Sequence, residues 1–197
     1  MGKAIGPGRP AGRSGGQAPA LTTAEVERLL KCTAGSANGV RNVAFLRMLL
    51  CGLRVSEPLS IRVRDIRTKD GVVLDQFVLQ GANTKNGKTR RVFLTPKAQK
   101  AVAAWIESMP SIKGDDPVFD LKPNYATTLV KRLMSDAGLS HASSHSLRRS
   151  AAHQLQDKGI SIPYISQVLG HSSVAVTSHY LDKSPANVAK AIQALDW

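Results

Sequence analysis

The chain has 197 residues, and its 27 Lys and Arg side chains against 14 Asp and Glu give a formal net charge of +13. The apolar fraction of 42% is enough to build a hydrophobic core, which excludes a disordered basic tail. No apolar run approaches the roughly 20 residues of a membrane-spanning helix, and the first residues lack the apolar stretch of a secretory signal. The charge favours a polyanionic partner, with nucleic acid as the first candidate and a basic protein without such a partner as the alternative.

The two cysteines, Cys32 and Cys51, are too few for a disulfide scaffold or a cysteine-based zinc finger. Both lie in apolar stretches with helical spacing. We therefore expect reduced thiols in the core of a cytoplasmic protein.

Residues 1–20 differ in composition from the rest of the chain. They hold six of the 16 glycines and three of the 10 prolines, and Lys3, Arg9 and Arg13 are not balanced by any acid. A segment of this kind cannot bury apolar surface, so it is predicted to be a flexible arm. Arg9 and Arg13 are its candidate DNA contacts.

Regular elements are predicted to begin after this arm. The sequence from Thr22 to Glu25 is a capping-box pattern, which predicts the start of a first helix. Apolar residues at helical spacing predict a second helix from Gly39 to Cys51. Ser56 is suited to cap a third helix that runs to about Arg62.

The apolar period then changes from that of a helix to that of a strand. Residues 72–74, 76–79 and 91–94 are predicted to be short strands, with Asn86-Gly87 as a strong hairpin signal between the last two. Helical spacing returns in six later segments: 96–108, 124–136, 146–158, 162–169, 174–180 and 185–195. The predicted fold class is mostly α with a small antiparallel β-sheet.

Four short fragments carry residue types that act on phosphate groups. They are Gly52-Leu53-Arg54-Val55-Ser56-Glu57, Thr84-Lys85-Asn86-Gly87-Lys88, His145-Ser146-Leu147-Arg148-Arg149 and Leu169-Gly170-His171-Ser172, with Tyr180 nine residues after His171. Each fragment alone has an ordinary structural explanation, such as a helix start, a solvated hairpin or an amphipathic helix face. The conjunction of all four in this order is far more specific than any one of them.

Together these fragments resemble the tyrosine recombinase family, which includes phage integrases and the Xer-type and Cre-type recombinases. The resemblance covers residues 21–197 and implies a catalytic domain over residues 21–183. It also implies that a C-terminal helix over residues 184–197 docks on a neighbouring protomer, although packing on its own domain is the alternative. Ser146 stands where many family members carry an acid.

The resemblance implies a set of catalytic residues: Arg54 with Glu57, Lys85, His145 with Arg148, His171, and Tyr180 as the nucleophile. Attack on a phosphodiester raises negative charge on the non-bridging oxygens, and a guanidinium fork pairs with two such oxygens. The histidines add hydrogen bonds, and the family gives His145 a base-like role. Lys85 is expected to protonate the leaving 5′ oxygen, with Lys88 as the alternative, and Glu57 to orient an Arg or a His.

Further contacts to DNA are expected from basic residues near these motifs: Lys88, Arg90, Arg91 and Arg149. No cofactor or metal is expected. Gly81 and Gly87 are six positions apart, one more than a phosphate-binding loop has. His141 and His145 have helical metal-ligand spacing, but no Glu follows His141.

The implied function is that of a site-specific DNA recombinase or integrase, which cleaves and rejoins DNA through a 3′-phosphotyrosyl intermediate. We expect double-stranded DNA as partner, a tetramer on DNA, a mostly monomeric free protein, and a location on the nucleoid in the cytoplasm, with accessory proteins possible. A type IB topoisomerase-like relaxase and a non-catalytic DNA-binding accessory protein are the alternatives. Family members usually carry an N-terminal domain of roughly a hundred residues, so a single-domain branch and a fragment both stay open.

Overall fold

The computed structural model describes residues 18–81, 87, 89–178, 181 and 193. Within them lie two strands, β1 (Gln76–Leu79) and β2 (Arg90–Phe93), and the following helices: α1 (Thr23–Ala34), α2 (Gly39–Leu50), α3 (Val63–Ile66), α4 (Pro96–Glu107), α5 (Pro123–Asp136), α6 (Ser144–Asp157), α7 (Ile162–Leu169) and α8 (Val174–Ser178). This confirms the predicted fold class. The predicted helix at 185–195 lies outside the described residues, apart from residue 193.

The capping box predicted at the start of α1 is confirmed. The Thr22 hydroxyl accepts a hydrogen bond from the Glu25 backbone N–H at 3.3 Å, and the Glu25 carboxylate accepts one from the Thr22 backbone N–H at 2.8 Å. These bonds satisfy two backbone donors that a helix N-terminus leaves open.

The two strands form an antiparallel pair in which Gln76 lies opposite Phe93 and Leu79 opposite Arg90. Phe77, Leu79 and Val92 are buried on the core side, as the two-residue side-chain period of a strand requires. The predicted strand at residues 72–74 is wrong. Only an isolated bridge between Arg67 and Val73 forms there.

The helix predicted from Ser56 to Arg62 is also wrong. A single 3-10 turn, Pro58–Ser60, and the four-residue α3 replace it, and Ser56 caps neither. Pro58 cannot donate a backbone hydrogen bond, so it is tolerated in a first turn but does not extend a helix. The irregular backbone between α2 and α3 carries Arg54 and Glu57.

The main core surrounds α2, which packs against α1, α4 and α6. Phe45 of α2 and Phe119 are fully buried and meet edge to face, with ring centroids 5.2 Å apart. A second, smaller apolar cluster contains Ala152, Ile165, Leu169 and Leu181. Within the described residues, no helix is both long and apolar enough to cross a membrane.

Candidate active site

Arg54 and Glu57 lie in the turn that follows α2. The Glu57 side chain is 1% exposed and accepts hydrogen bonds from the backbone N–H of Arg54 at 2.7 Å and from Arg54 Nη1 at 2.9 Å. A carboxylate this deeply buried needs a charged partner, and the bond to the backbone also fixes the local turn. The two hydrogen bonds therefore hold the Arg54 guanidinium against Glu57.

Arg148 projects from α6 and is 3% exposed. Its Nη1 donates to the carbonyl of Gly52, and its Nη2 donates to the carbonyl of Leu169 at 2.8 Å. The guanidinium thus lies between the end of α2 and the end of α7. A guanidinium stays protonated in such a setting because its charge is delocalised over three nitrogens.

Gly52 allows these two helix ends to approach. It has a φ of +90°, and a Cβ at this position would stand 3.2 Å from the carbonyl oxygen of Val168. Only glycine adopts this backbone region without strain. Gly52 therefore ends α2 and also allows α7 to pack closely against this turn.

His171 follows α7 and is held through both ring nitrogens. Nε2 lies 3.3 Å from Arg148 Nη2, and Nδ1 lies 2.8 Å from the hydroxyl of Thr177 in α8. A guanidinium has no acceptor, so Nε2 must accept and the ring proton must sit on Nδ1. Burial, followed by repulsion from Arg148, Arg54 and Arg90, lowers the pKa of His171 from about 6.5 to about 4.

His145 is exposed in the first turn of α6, three positions before Arg148. Ser146, which replaces the acid of many family members, is buried and closes a capping box. Its hydroxyl accepts a hydrogen bond from the Ser143 backbone N–H at 3.1 Å. The serine therefore stabilises the start of the helix that carries both residues of the His-x-x-Arg motif.

These elements surround a cavity of about 600 Å³. Its basic and polar lining comes from the turn after α2, from β2 and from the end of α7, and includes Arg54, Arg90, Arg91 and His171. Phe93 and Tyr164 form its apolar rim and are 58% and 64% exposed. The cavity is thus cationic, open to solvent and large enough for a phosphodiester with its flanking sugars.

The basic residues predicted to contact DNA have different surroundings. Arg91 is exposed and donates to the side chain of Gln76 at 3.0 Å, whereas Arg149 is half-buried and donates to the Ala18 carbonyl at 3.3 Å. Arg90 is turned inward: Nη2 donates to Glu57 at 2.8 Å and Nη1 to the Val168 carbonyl at 3.0 Å. Five further predicted site residues lie outside the described residues: Arg9, Arg13, Lys85, Lys88 and Tyr180.

Sequence reasoning missed two contacts of this site, Arg90 with Glu57 and Thr177 with His171. The inward direction of Arg90 could have been predicted. Val92 is an apolar strand residue, and residue 90 lies on the same face because side chains alternate with a two-residue period. The contact of Thr177 with His171 had no such signal, because the bond spans six residues across the turn between α7 and α8.

Residues 19–187 match the model of the phage integrase family, which is most of the chain. The chain belongs to this family. Tyrosine recombinase XerA of Saccharolobus solfataricus is 29% identical over 162 residues, covering 82% of this chain and 51% of that protein. Tyrosine recombinase XerC of Rhodospirillum centenum is 31% identical over 157 residues, covering 73% of this chain and 43% of that protein. This integrase-family chain therefore spans about half the length of these curated relatives.

Solved structures share the integrase-family fold. The crystal structure of XerA recombinase superposes with a TM-score of 0.73 and 22% identity, covering 90% of this chain and 66% of that one. XerH recombinase bound to its palindromic difH substrate, in a post-cleavage complex, gives a TM-score of 0.72 and 23% identity over 92% of this chain and 54% of that one. The catalytic domain of bacteriophage HP1 integrase gives 0.59 and 20% identity, covering 90% of this chain and 95% of that domain.

Proposed function

We propose that this chain is the catalytic part of a site-specific DNA recombinase, which cleaves and rejoins DNA through a tyrosyl intermediate. The observation that carries the proposal is that Arg54 and His171 line one solvent-open cationic cavity, with the buried Arg148 within hydrogen-bond distance of His171, in a chain of the phage integrase family. A cluster of fixed cations beside an open cavity suits a reaction that concentrates negative charge on phosphate oxygens.

The proposed reaction is an in-line transfer of a phosphoryl group. The Tyr180 phenol loses its proton and its oxygen bonds to phosphorus, while the bond from phosphorus to the 5′ oxygen breaks. His145 serves as the base-like residue, and Lys85 protonates the leaving 5′ oxygen. The DNA is left with a 3′-phosphotyrosyl bond and a free 5′ hydroxyl, and attack by a second 5′ hydroxyl reverses the step without external energy.

Arg54 and Arg148 are proposed to stabilise the pentacoordinate phosphate. The side chain of Arg54 is 21% exposed and borders the cavity, so we expect it to reach a phosphate oxygen while it stays paired with Glu57. A bound phosphate also offsets the positive charges that lower the pKa of His171. The ring then becomes easier to protonate and can donate a hydrogen bond to the same phosphate.

The assignment of Tyr180 as nucleophile is supported by the residue that follows it. Leu181 is 6% exposed and packs in a cluster with Ala152 of α6 and Leu169 of α7. The carbonyl of Leu169 in turn accepts the hydrogen bond from Arg148. The residue directly after Tyr180 is therefore packed against α6, which carries Arg148, and against α7, which precedes His171.

Double-stranded DNA is the proposed partner. Two relatives of this fold, XerH recombinase and the Tn1549 transposon integrase, have structures in complex with their DNA. The charge of +13 suits the same partner. We further propose that four protomers assemble on DNA, that residues 184–197 dock on a neighbouring protomer, and that the free chain is mostly monomeric.

Covalent capture tests the proposed function. The full chain is incubated in excess EDTA with sheared genomic DNA of its source organism that has been lightly nicked with DNase I. A nick close to the cleaved bond releases a short fragment, so the covalent intermediate accumulates. We expect DNA that stays attached to the protein in SDS and that shares a sequence after isolation. Equal recovery with a chain carrying Arg148→Met would contradict the proposal.

The captured sequence then allows recombination to be separated from relaxation. Two linear duplexes of different length that carry the captured site are mixed with the chain. A recombinase exchanges strands and gives products of new length. Cleavage and resealing without such products would identify a relaxase instead.

A further inference from the structure

The C-terminal end of α7 accepts hydrogen bonds from three arginines that are distant from it in the sequence. Its last carbonyls each accept a hydrogen bond from a different arginine: Val168 from Arg90 at 3.0 Å, Leu169 from Arg148 at 2.8 Å, and Gly170 from Arg54 at 3.1 Å. Carbonyls in the last turn of a helix have no partner within the helix, and the dipole makes this end negative. The helix end therefore serves as a scaffold for cations.

Two of these arginines also share one carboxylate. Glu57 Oε1 accepts from Arg54, and Glu57 Oε2 accepts from Arg90 at 2.8 Å. Arg54 and Glu57 alone would form a neutral pair, which offers little net charge to a phosphate. With Arg90 included, the group of three carries a formal charge of +1. Arg90 thus offsets the negative charge of Glu57 that would otherwise cancel the charge of Arg54.

Arg90 borders the cavity, but its guanidinium is bonded to the protein. Its side chain is 12% exposed, and both terminal nitrogens already have acceptors in Glu57 and Val168. Gly170 provides the space for it, because a Cβ on this residue would lie 2.5 Å from Arg90 Nε. That Nε is buried and has no hydrogen-bond acceptor among the described residues. Arg91, the next residue, points to the exposed side of β2.

We propose that Arg90 is a positioning residue of the cleavage reaction rather than a ligand of the DNA backbone. Arg90 of β2 donates to Glu57 and to the last turn of α7. It thereby fixes the position of Glu57, which orients Arg54, and it offsets the negative charge beside Arg54. This inference rests on the proposed function, because its consequence is a faster cleavage step. It replaces the sequence-based prediction that Arg90 contacts DNA.

The test compares Arg90→Met with the matched control Arg67→Met. Arg67 is a half-buried arginine that donates to the carbonyl of Gly71, away from the cavity. Covalent adduct formation on nicked captured DNA is followed at saturating protein, and DNA affinity is measured across a series of KCl concentrations. We expect Arg90→Met to slow adduct formation about 10- to 100-fold, and Arg67→Met to leave it unchanged.

The salt series separates positioning from DNA contact. A lost phosphate contact lowers the slope of log Kd against log salt by about one, whereas a positioning residue leaves the slope unchanged. A wild-type rate at saturation, or a reduced slope with an intact rate, would overturn the proposal. If Arg90→Met does not fold, Arg90→Lys is used instead. Lysine keeps the charge but reaches only one of the two acceptors. A slowed cleavage rate in this variant supports the proposal, and a wild-type rate overturns it.

A readout that needs no cleavage keeps this inference separate from the proposed function. In the free protein, rotation of the Arg54 guanidinium about its Cζ–Nε bond is measured by NMR. Positioning by Arg90 predicts slow rotation in the wild-type chain and faster rotation in the Arg90 variant, with no change in Arg67→Met. Equal rotation in all three chains would overturn the inference, whereas failure of the wild-type chain to form an adduct would overturn only the proposed function.

Discussion

Arg148 and His171 form a hydrogen bond that fixes the protonation of the imidazole. The guanidinium donates from Nη2 to Nε2 across 3.3 Å, which leaves the ring proton on Nδ1, where it is donated to Thr177. The free protein therefore holds His171 neutral beside a buried cation. A negative group that enters the cavity would raise the pKa of the ring and so favour its protonation.

This relationship predicts the titration of His171. Burial and the adjacent arginines lower its pKa to about 4 in the folded chain. NMR of the free protein is expected to show His171 as the neutral Nδ1–H form at pH 6, with protonation only near pH 4. A ring that titrates near 6.5 would contradict the assigned hydrogen bonds.

The same shift has a consequence for stability. Between about pH 6.5 and 4 the unfolded chain binds a proton at His171 that the folded chain does not. The contribution of His171 to the free energy of unfolding is therefore lost as the pH falls through that window. Chemical unfolding of the wild-type chain and of His171→Gln is compared at pH 7 and pH 4.5. The wild-type chain should lose more unfolding free energy than the variant, and equal losses would contradict this prediction.

Replacement of Arg148 by Lys should lower the rate of covalent cleavage about 10²- to 10³-fold, by analogy with the loss of one preorganised charged donor. Lysine keeps the charge but cannot span the carbonyls of Gly52 and Leu169 as a fork does. Adduct formation at saturating protein is the measurement, with Arg67→Lys as the control outside the cavity. Cleavage by Arg148→Lys at the wild-type rate would exclude the role assigned to this arginine.

Replacement of Gly170 by Ala tests the space beside Arg90. Gly170 and Gly138 both have positive φ, of +62° and +71°, but a Cβ meets Arg90 only at Gly170 and meets nothing within 4 Å at Gly138. Both alanine variants should lose about 1–2 kcal/mol of unfolding free energy from the left-handed backbone. Only Gly170→Ala should also slow adduct formation, and equal cleavage rates in the two variants would contradict this.

Leu181 is predicted to anchor the segment that carries the nucleophile. Leu181→Ala and Leu155→Ala both remove apolar side chains from the same small cluster, and each should cost about 2 kcal/mol of unfolding free energy. Only the first change lies next to Tyr180. At saturating DNA, Leu181→Ala should therefore cleave more slowly than Leu155→Ala. Equal rates would show that the cluster serves stability alone.

The parts of the fold that depend on local chemistry were predicted from the sequence. The capping box of Thr22 and Glu25 needs only four consecutive residues, and α7 was predicted with the bounds that the structure has. The strand predicted at residues 72–74 was wrong because a strand needs a partner, and only Val73 finds one in a single bridge to Arg67. Strand pairing is decided by the tertiary fold.

The candidate site was predictable as a set of residue types but not as a network. The order of the motifs singled out Arg54, Arg148 and His171; in the structure Arg54 and His171 line one cavity, and the buried Arg148 contacts His171. The sequence could not show that the end of α7 binds three arginines, because those bonds join residues up to 116 positions apart. Arg90 is one example, because its charge was visible in the sequence but its hydrogen bonds to Glu57 and Val168 were not.

The proposed cleavage through Tyr180 is tested most directly by identifying the tyrosine that carries the DNA. The covalent adduct formed on nicked captured DNA is digested with protease, and the nucleotide-bearing peptide is identified by mass spectrometry in the wild-type chain, Tyr180→Phe and Tyr164→Phe. Tyr164 is the matched control because its exposed ring lines the same cavity. We expect DNA on Tyr180, an unchanged adduct in Tyr164→Phe, and normal DNA binding without any adduct in Tyr180→Phe. An adduct that survives Tyr180→Phe, or one mapped to Tyr164, would contradict this proposal.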